Sequence, residues 1–220
     1  CLWANNPTLF SASSTYGDWT GNQCDIADII VCEGLWSWYT IAACNVWTTS
    51  AETGSSWYWD YFQWWNNYWF KWSFTTSNAQ VTENSIWSTY SDSTFIYSFS
   101  DWNMVSNNNL WWQAPWTNLD MKGPCETWYH VPSNSEWLWI ISAWWWWNNW
   151  TNLSNDLLLP IAGRLRHQDS NPEHQLTYGY YWSSSTNGAF AYDMFFDTST
   201  IYLSDENYRA RAFSVRCFKN

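Results

Sequence analysis

Residues 123–137 read GPCETWYHVPSNSEW, and the second half of that run is written like the start of a helix. Ser133 and Glu136 stand three apart. In this S-x-x-E spacing the serine oxygen accepts from a backbone N–H of the first turn, and the glutamate reaches back to the serine N–H. Pro132 precedes the cap. The apolar residues that follow, Trp137, Ile140, Ile141 and Trp144, recur at i, i+3, i+4 and i+7, one face of a helix. The spacing predicts a helix over about 134–143, ending at the four tryptophans of 144–147.

Outside that segment the chain reads mainly as strands. Residues 29–32 are a short β-like run, and 38–46, WYTIAACNV, look like a buried strand followed by a turn. Residues 48–120 are rich in Asn, Ser, Thr and aromatics with few Leu, Ile or Val, and predict loops with short strands. In the last third, 157–160 leads into a turn at Ala162 and Gly163. Residues 180–184 begin a strand closed by Asn187 and Gly188. Residues 189–197 and 200–203 alternate around Thr198 and Ser199 like a hairpin, and 211–218 alternates as a final strand. One helix with many short antiparallel strands predicts an α+β domain. Residues 1–37 read as an N-terminal extension and 38–220 as the domain proper.

The 220 residues suffice for one large domain. Charged residues make up only 12%, about half the usual share of roughly 25%. The polar surface therefore falls to Asn, Ser, Thr and Tyr, a composition common on exported bacterial surface domains. With 8 Lys+Arg against 19 Asp+Glu the net charge is −11, which would repel a phosphate backbone and argues against a nucleic-acid partner. The longest near-apolar run, 137–147, falls short of the ~20 residues a membrane-spanning helix needs, so no transmembrane segment is expected.

Cys1, Cys24, Cys32, Cys44, Cys125 and Cys217 form an even set without a C-x-x-C pair. That favours disulfides in an oxidising, extracellular compartment over zinc or redox chemistry. The residues alone leave the pairing open. The chain begins at Cys1 without an initiator Met or leader, as a processed or excised piece would, and an N-terminal Cys is also what a processed lipoprotein acylates. Lipidation there would leave an odd number of cysteines to pair. Anchoring, if any, falls outside the chain or at Cys1.

Taken in order, WYTIAACNV (38–46), DYFQW (60–64), GPCETWYHVPSNSEW (123–137), LLLPIAGR (157–164), YYWSSS (180–185) and FSVRCFKN (213–220) resemble the motifs of the FISUMP family, the Fibrobacter succinogenes major paralogous domain. The resemblance covers residues 38–220. It implies a bacterial secreted or cell-surface domain with a C-type-lectin-like fold, similar also to formylglycine-generating enzymes. It further implies that the motifs carrying Cys125 and Cys217 meet, which makes these two the best disulfide pair. Formylglycine-generating enzymes use two C-terminal cysteines; only Cys217 lies in that region here, which argues against that chemistry and against an enzyme.

The departures from the family pattern share one form. Trp47, Trp59, Trp65, Trp69, Trp128, Trp144 and Trp150 stand where the family has glycine, whereas Trp38, Trp64, Trp137 and Trp182 stand where it has tryptophan. Glycine serves positive φ at turns and just past helix ends, positions that a bulky side chain opposes. A composition of 25 Trp to 8 Gly fits the same substitution. Reading UGA as tryptophan, for a lineage that decodes it as glycine, would produce this pattern. On that reading 144–147 is a glycine-rich helix stop, with Trp147 its most credible indole.

Candidate sites are few. Trp111, Trp112 and Trp116 carry rings able to stack on sugar faces. Asp193, Asp197, Asp205, Glu206 and Asn207 place oxygen donors near one hairpin, the ligand type Ca²⁺ takes. The Glu-Pro-Asn, Gln-Pro-Asp and Trp-Asn-Asp motifs of calcium-dependent lectins are absent, and solvated turn residues account for the cluster more simply. Calcium is thus the one cofactor these residues admit, and otherwise none is expected. His130 reads as a structural hydrogen-bonding residue; His167 and His174 fall in a polar loop with no third ligand at metal spacing. Ser133 and Glu136 are assigned to the cap. Arg216 reads as a partly buried cation seeking a carboxylate, with Glu136 as one candidate. The expected function is non-enzymatic: a surface or secreted domain binding an extracellular protein or glycan, as in adhesion. The alternative is a structural subunit of a surface filament, whose partner is another copy of itself.

Overall fold

The computed structural model describes residues 8–11, 27–33, 37–46, 60–64, 66, 70–71, 81–82, 94–99, 101–102, 123–126, 128–145 and 153–220. The capping box closes in both directions. The Glu136 N–H donates to Ser133 Oγ at 3.2 Å, and the Ser133 N–H donates to Glu136 Oε2 at 2.7 Å. Helix α1 follows as Asn134–Trp145 and buries Trp137, Ile140 and Ile141. It runs past the expected stop, so Trp144 and Trp145 are helical rather than capping residues.

The rest is dominated by strands. One antiparallel sheet contains β1 (Thr8–Ser11), β2 (Ile29–Glu33) and β3 (Ser37–Asn45). A second holds β4 (Asp60–Gln63) and β5 (Phe70–Lys71), while β6 (Val81–Thr82) and β7 (Ile96–Tyr97) form a short parallel pair. Strand β8 (Tyr129–His130) precedes α1. A one-turn helix, α2 (Leu153–Asp156), then leads to β9 (Arg164–Leu165) and β10 (Pro172–Glu173). The three longest C-terminal strands, β11 (Gly179–Asn187), β12 (Phe190–Phe196) and β13 (Ile201–Tyr208), form an antiparallel meander. The chain finishes with β14 (Ala212–Phe213) and β15 (Arg216–Lys219). The two larger sheets are ordered β1-β2-β3-β15-β8 and β10-β9-β14-β4-β5.

This is an all-β architecture, and it corrects the α+β, C-type-lectin-like expectation. Among the described residues two helices stand against fifteen strands. The capped segment does form a helix, but it is a single element packed on the meander. Elsewhere alternation and β-branched or aromatic residues set the class. Residues 157–159, read as strand, instead follow α2, with Leu158 at φ +52°. Strands β1 and β2 extend the sheet that has β3 and β15 at its centre.

The core is wired by indoles. Trp64, Trp102, Trp137 and Trp182 are among the largest fully buried side chains. Each Nε1–H donates to a backbone carbonyl: Ser183 (2.8 Å), Trp64 (2.6 Å), Trp182 (3.3 Å) and Phe62 (2.7 Å) respectively. A buried indole needs such an acceptor. Two buried arginines complete the interior. Arg209 pairs with Asp101 at 3.0 Å and lies 4.5 Å from the Trp64 ring. Arg216 donates to Asn45 Oδ1 (2.9 Å) and to the carbonyls of Ala42 (2.7 Å), Ala43 and Leu158. It does not take Glu136, whose carboxylate instead meets His130 Nε2 at 3.0 Å. The other His130 nitrogen bonds Asn220 at 2.6 Å, a structural role.

Trp128 behaves differently from these indoles. The Tyr129 N–H donates to the Glu126 carbonyl at 3.0 Å, closing a turn in which Trp128 is the third residue, at φ +73°. Turns with positive φ at that position call for glycine or asparagine. The indole is 71% exposed and so regains little by burial. Replacing Trp128 by Gly should raise stability by about 1 kcal/mol, the left-handed penalty less the entropy glycine adds to the unfolded chain. In a chain of this size that is an increase of roughly 2–4 °C in Tm; a lower Tm would show that the indole is needed. Trp47, Trp59, Trp65, Trp69 and Trp150 lie outside the described residues.

Candidate functional site

The register of the meander lines up one aromatic residue from each strand. Tyr180 on β11 opposes Phe195 on β12, which opposes Tyr202 on β13. The rings stack, with centroids 5.3 Å apart at 23° and 4.3 Å apart at 11°. Opposed aromatic pairs stabilise a sheet by their contact and by excluding water. The ladder grades from Tyr180, 4% exposed, to Tyr202, 48% exposed, so its outer end presents a ring to solvent. Tyr178 lies 6.1 Å from Phe195, and His174 lies 5.2 Å from Tyr178. His174 Nδ1 and the Tyr180 hydroxyl share a 2.7 Å hydrogen bond. Burial is the main cause that pushes this hydroxyl up to about 12, so it keeps its proton.

A bulge sets this alignment. Asp193 opposes Asp205 while Phe195 opposes Tyr202, leaving Leu203 and Ser204 together opposite Met194. Ser204 sits at φ +60°, and its side chain exchanges hydrogen bonds with Asn134 at 2.8 and 3.1 Å, tying the bulge to the start of α1. In uninterrupted register Phe195 would face Leu203 and the outer ring would be lost. Bulges re-aim side chains in this way beside functional sites.

The border of the ladder is polar. Gly163, at φ +78°, brings the backbone so near the 173–175 segment that a Cβ would lie 2.5 Å from the Glu173 carbonyl oxygen. That approach places Arg164 over the Tyr180 ring, 4.6 Å from its centroid, with its Nε donating to Glu173 Oε1 at 2.6 Å. His174 and Leu176 hold φ of +59° and +60°. Such conformations cost of order 1–3 kcal/mol each and persist where neighbours over-determine them. Here the Leu176 N–H bonds the Ile161 carbonyl, and the Tyr178 N–H bonds the His174 carbonyl, both at 3.0 Å.

Further in on the same strands, buried Asp193 accepts from Asn207 Nδ2 at 2.6 Å, and the same amide donates to Asp205 at 3.0 Å. Asn207 Oδ1 accepts from Arg211 Nη1. Asp193 Oδ2 has no hydrogen-bond partner. Burial pushes the Asp193 carboxyl up to about 8, against the opposing pull of Asn207. His167, read from sequence as a loop residue, is buried between Phe99 and Tyr208, with ring centroids 5.2 and 4.8 Å away. Its desolvation, then the charge of Arg211, push it down to about 4, so it is neutral near pH 7. Arg211 Nε approaches His167 Nδ1 at 3.4 Å, which assigns the ring proton to the unpartnered Nε2.

The structure divides the oxygen-donor set expected near the hairpin. Asp193, Asp205 and Asn207 converge. Asp197 turns away to cap the β12–β13 turn through Ser199 and Thr200, and Glu206 bonds Asn187 at 2.8 Å. The donor Asn207 Nδ2 stands between the two aspartates, where a cation would have to sit. No group of three or more His, Cys, Asp or Glu able to hold a metal occurs among the described residues. Trp111, Trp112, Trp116, Cys1 and Cys24 lie outside the described residues, as does the side chain of Cys32. Cys125 and Cys217 are bonded to each other; Cys44 is also in a disulfide, with a partner outside the described side chains. The aromatic ladder was not foreseen from sequence. Its available signal was the i, i+2 pair Tyr178 and Tyr180, with Phe195 and Tyr202 on the flanking hairpin.

No helix among the described residues is long and apolar enough to cross a membrane. No curated protein and no solved structure matches the chain. Residues 141–218, which include Arg164, the ladder and Arg211, match the model of a family described as a domain of unknown function, DUF8237.

Proposed function

We propose that the chain is a non-enzymatic binding module of an exported, cell-surface bacterial protein, and that it holds a saccharide on the aromatic face of β11–β13. The observation that carries this reading is the Tyr180–Phe195–Tyr202 ladder, open to solvent at Tyr202 and bordered by the Arg164–Glu173 pair. A pyranose offers an apolar C–H face rimmed by hydroxyls. A ring held flat by stacking behind it matches the face, and fixed planar polar groups match the rim. The Cys125–Cys217 bridge and the low charge content are in keeping with an extracellular setting.

Affinity electrophoresis against a panel of bacterial and plant polysaccharides tests it. Tyr202→Ala should weaken retention about tenfold, the loss of ~1.4 kcal/mol of stacking, while stability stays within about 1 kcal/mol of the parent. Retention that survives Tyr202→Ala unchanged, or ordered self-assembly of the chain with no saccharide binding, would overturn the reading.

A further inference from the structure

The ladder continues past Tyr180 onto a ring outside the meander. His174 stacks on Tyr180 with centroids 5.9 Å apart at 21°, and Phe195 stacks on it at 5.3 Å. Phe195 and His174 make no ring contact with each other, so they flank Tyr180. Tyr178 spans the gap between them, 5.2 Å from His174 and 6.1 Å from Phe195. At the surface this leaves a row of four rings, Tyr202, Phe195, Tyr178 and His174, exposed at both ends and half-buried between. Two strand spacings of ~4.8 Å separate Tyr202 from Tyr180, and His174 lies one ring stack beyond. The row is longer than a single pyranose.

The His174 end is held from beneath. The Gly163 N–H bonds the Tyr178 carbonyl at 2.8 Å, the Thr177 N–H bonds the His174 carbonyl at 3.1 Å, and Gln175 Nε2 reaches the Tyr61 hydroxyl at 3.4 Å. These bonds keep His174 in its left-handed conformation with its ring exposed. Backbone strain of this kind persists where it aims a side chain. Burial, then the charge of Arg164, hold the His174 ring below its usual value, so it is neutral near pH 7. The Tyr180 hydroxyl keeps its own proton and donates it to Nδ1 at 2.7 Å, which assigns the ring proton to Nε2. Nε2 has no partner among the described residues. The one cation reaching these rings among the described residues is Arg164, which Glu173 neutralises. The row thus offers aromatic faces and an N–H donor without net charge, on a chain whose −11 repels polyanions.

We infer that the ligand of this face is a neutral polysaccharide chain running across the strands. One sugar lies on Tyr202 and Phe195, and another lies on Tyr178 and His174, where Nε2 donates to a hydroxyl. This rests on the saccharide reading above and adds the ligand's charge, its length and a second subsite.

The test is affinity electrophoresis of the whole chain in gels of neutral glucan, xylan, mannan or galactan, beside polygalacturonate. Calorimetry follows, with oligosaccharides of increasing length from the neutral polymer that retards the chain most. Affinity should rise about tenfold or more from disaccharide to pentasaccharide, as the second set of contacts is added. His174→Asn suits the left-handed backbone and lacks the ring. It should lose most of that rise while disaccharide affinity stays within about twofold of the parent. Should His174→Asn fail to give a native melt, the length series on the parent still decides. Three results would overturn this inference and leave saccharide binding standing, provided that Tyr202→Ala still weakens it: affinity that is level from the disaccharide upward, a rise that persists in His174→Asn, or retention by polygalacturonate alone. The absence of retention by any saccharide would overturn both.

Discussion

Removing the disulfide, as Cys125→Ala with Cys217→Ala, should cost ~4–5 kcal/mol, because the bridge spans a sequence separation of 92 residues. In a chain of this size that is a fall of roughly 10 °C or more in Tm, read by circular dichroism. Both sulfurs are buried, and Cys217 lies on β15 between β3 and β8. The bridge therefore fastens the segment leading into β8 to the strand at the sheet's centre. The same strand carries Arg216, whose bonds to Ala42, Ala43, Asn45 and Leu158 require β15 to stay seated. A loss below ~1 kcal/mol would mean that the unfolded chain is not restricted by this loop.

The second large effect is a penalty from Asp193 that grows as pH rises from about 4 to about 8. Asp193 has a folded-state value of about 8 against 3.8 for the free group. Within that window the unfolded chain has released the proton while the folded chain retains it. The linkage slope is then negative, and the stability present below pH 4 is lost progressively until the folded group also ionises. Full development of a shift near four units is on the order of 5 kcal/mol, at 1.36 kcal/mol per unit. Opposing terms come from Glu136, Asp169 and Asp197, all held below the usual carboxylate range. Their stabilisation is present above the unfolded values and is lost as pH falls through the depressed ones. His167 also opposes Asp193, because its folded value of about 4 lies below the 6.5 of the free ring, so over that window the unfolded chain binds the proton that the folded chain has released. The two slopes cancel there, so stability should be level from about pH 4 to 6.5 and fall from there to about pH 8. Asp193→Asn keeps the oxygen that accepts from Asn207 and removes the charge. It should be more stable than the parent at pH 8 and show no fall between pH 6.5 and 8. Parallel profiles for the two proteins in denaturant melts would show that Asp193 is already ionised in the folded state.

The elements legible in the sequence were those whose signals are local. The S-x-x-E spacing and the apolar face at 137, 140, 141 and 144 announce α1. The alternation of 189–197 and the Asn187–Gly188 turn announce the β11–β12 hairpin. The fold class was not legible, because strands of two residues such as β5, β7 and β14 carry no periodicity and are defined by their pairing. The site was hidden for a similar reason. Tyr180, Phe195 and Tyr202 become one surface only through strand register, and that register depends on a bulge at Ser204 that no turn residue signals. Attention to conspicuous tryptophans led elsewhere: the buried ones are core, and Trp128 occupies a glycine conformation.

The most direct measurement of the binding account is an amide and aromatic chemical-shift titration of the chain with a short oligosaccharide of the polymer that retards it. Saccharide binding on the ladder predicts perturbations at Tyr178, Phe195 and Tyr202, with α1 and the β1–β2 edge silent. Perturbations centred on α1 or on β1–β2, with Tyr202 and Phe195 unmoved, would contradict it.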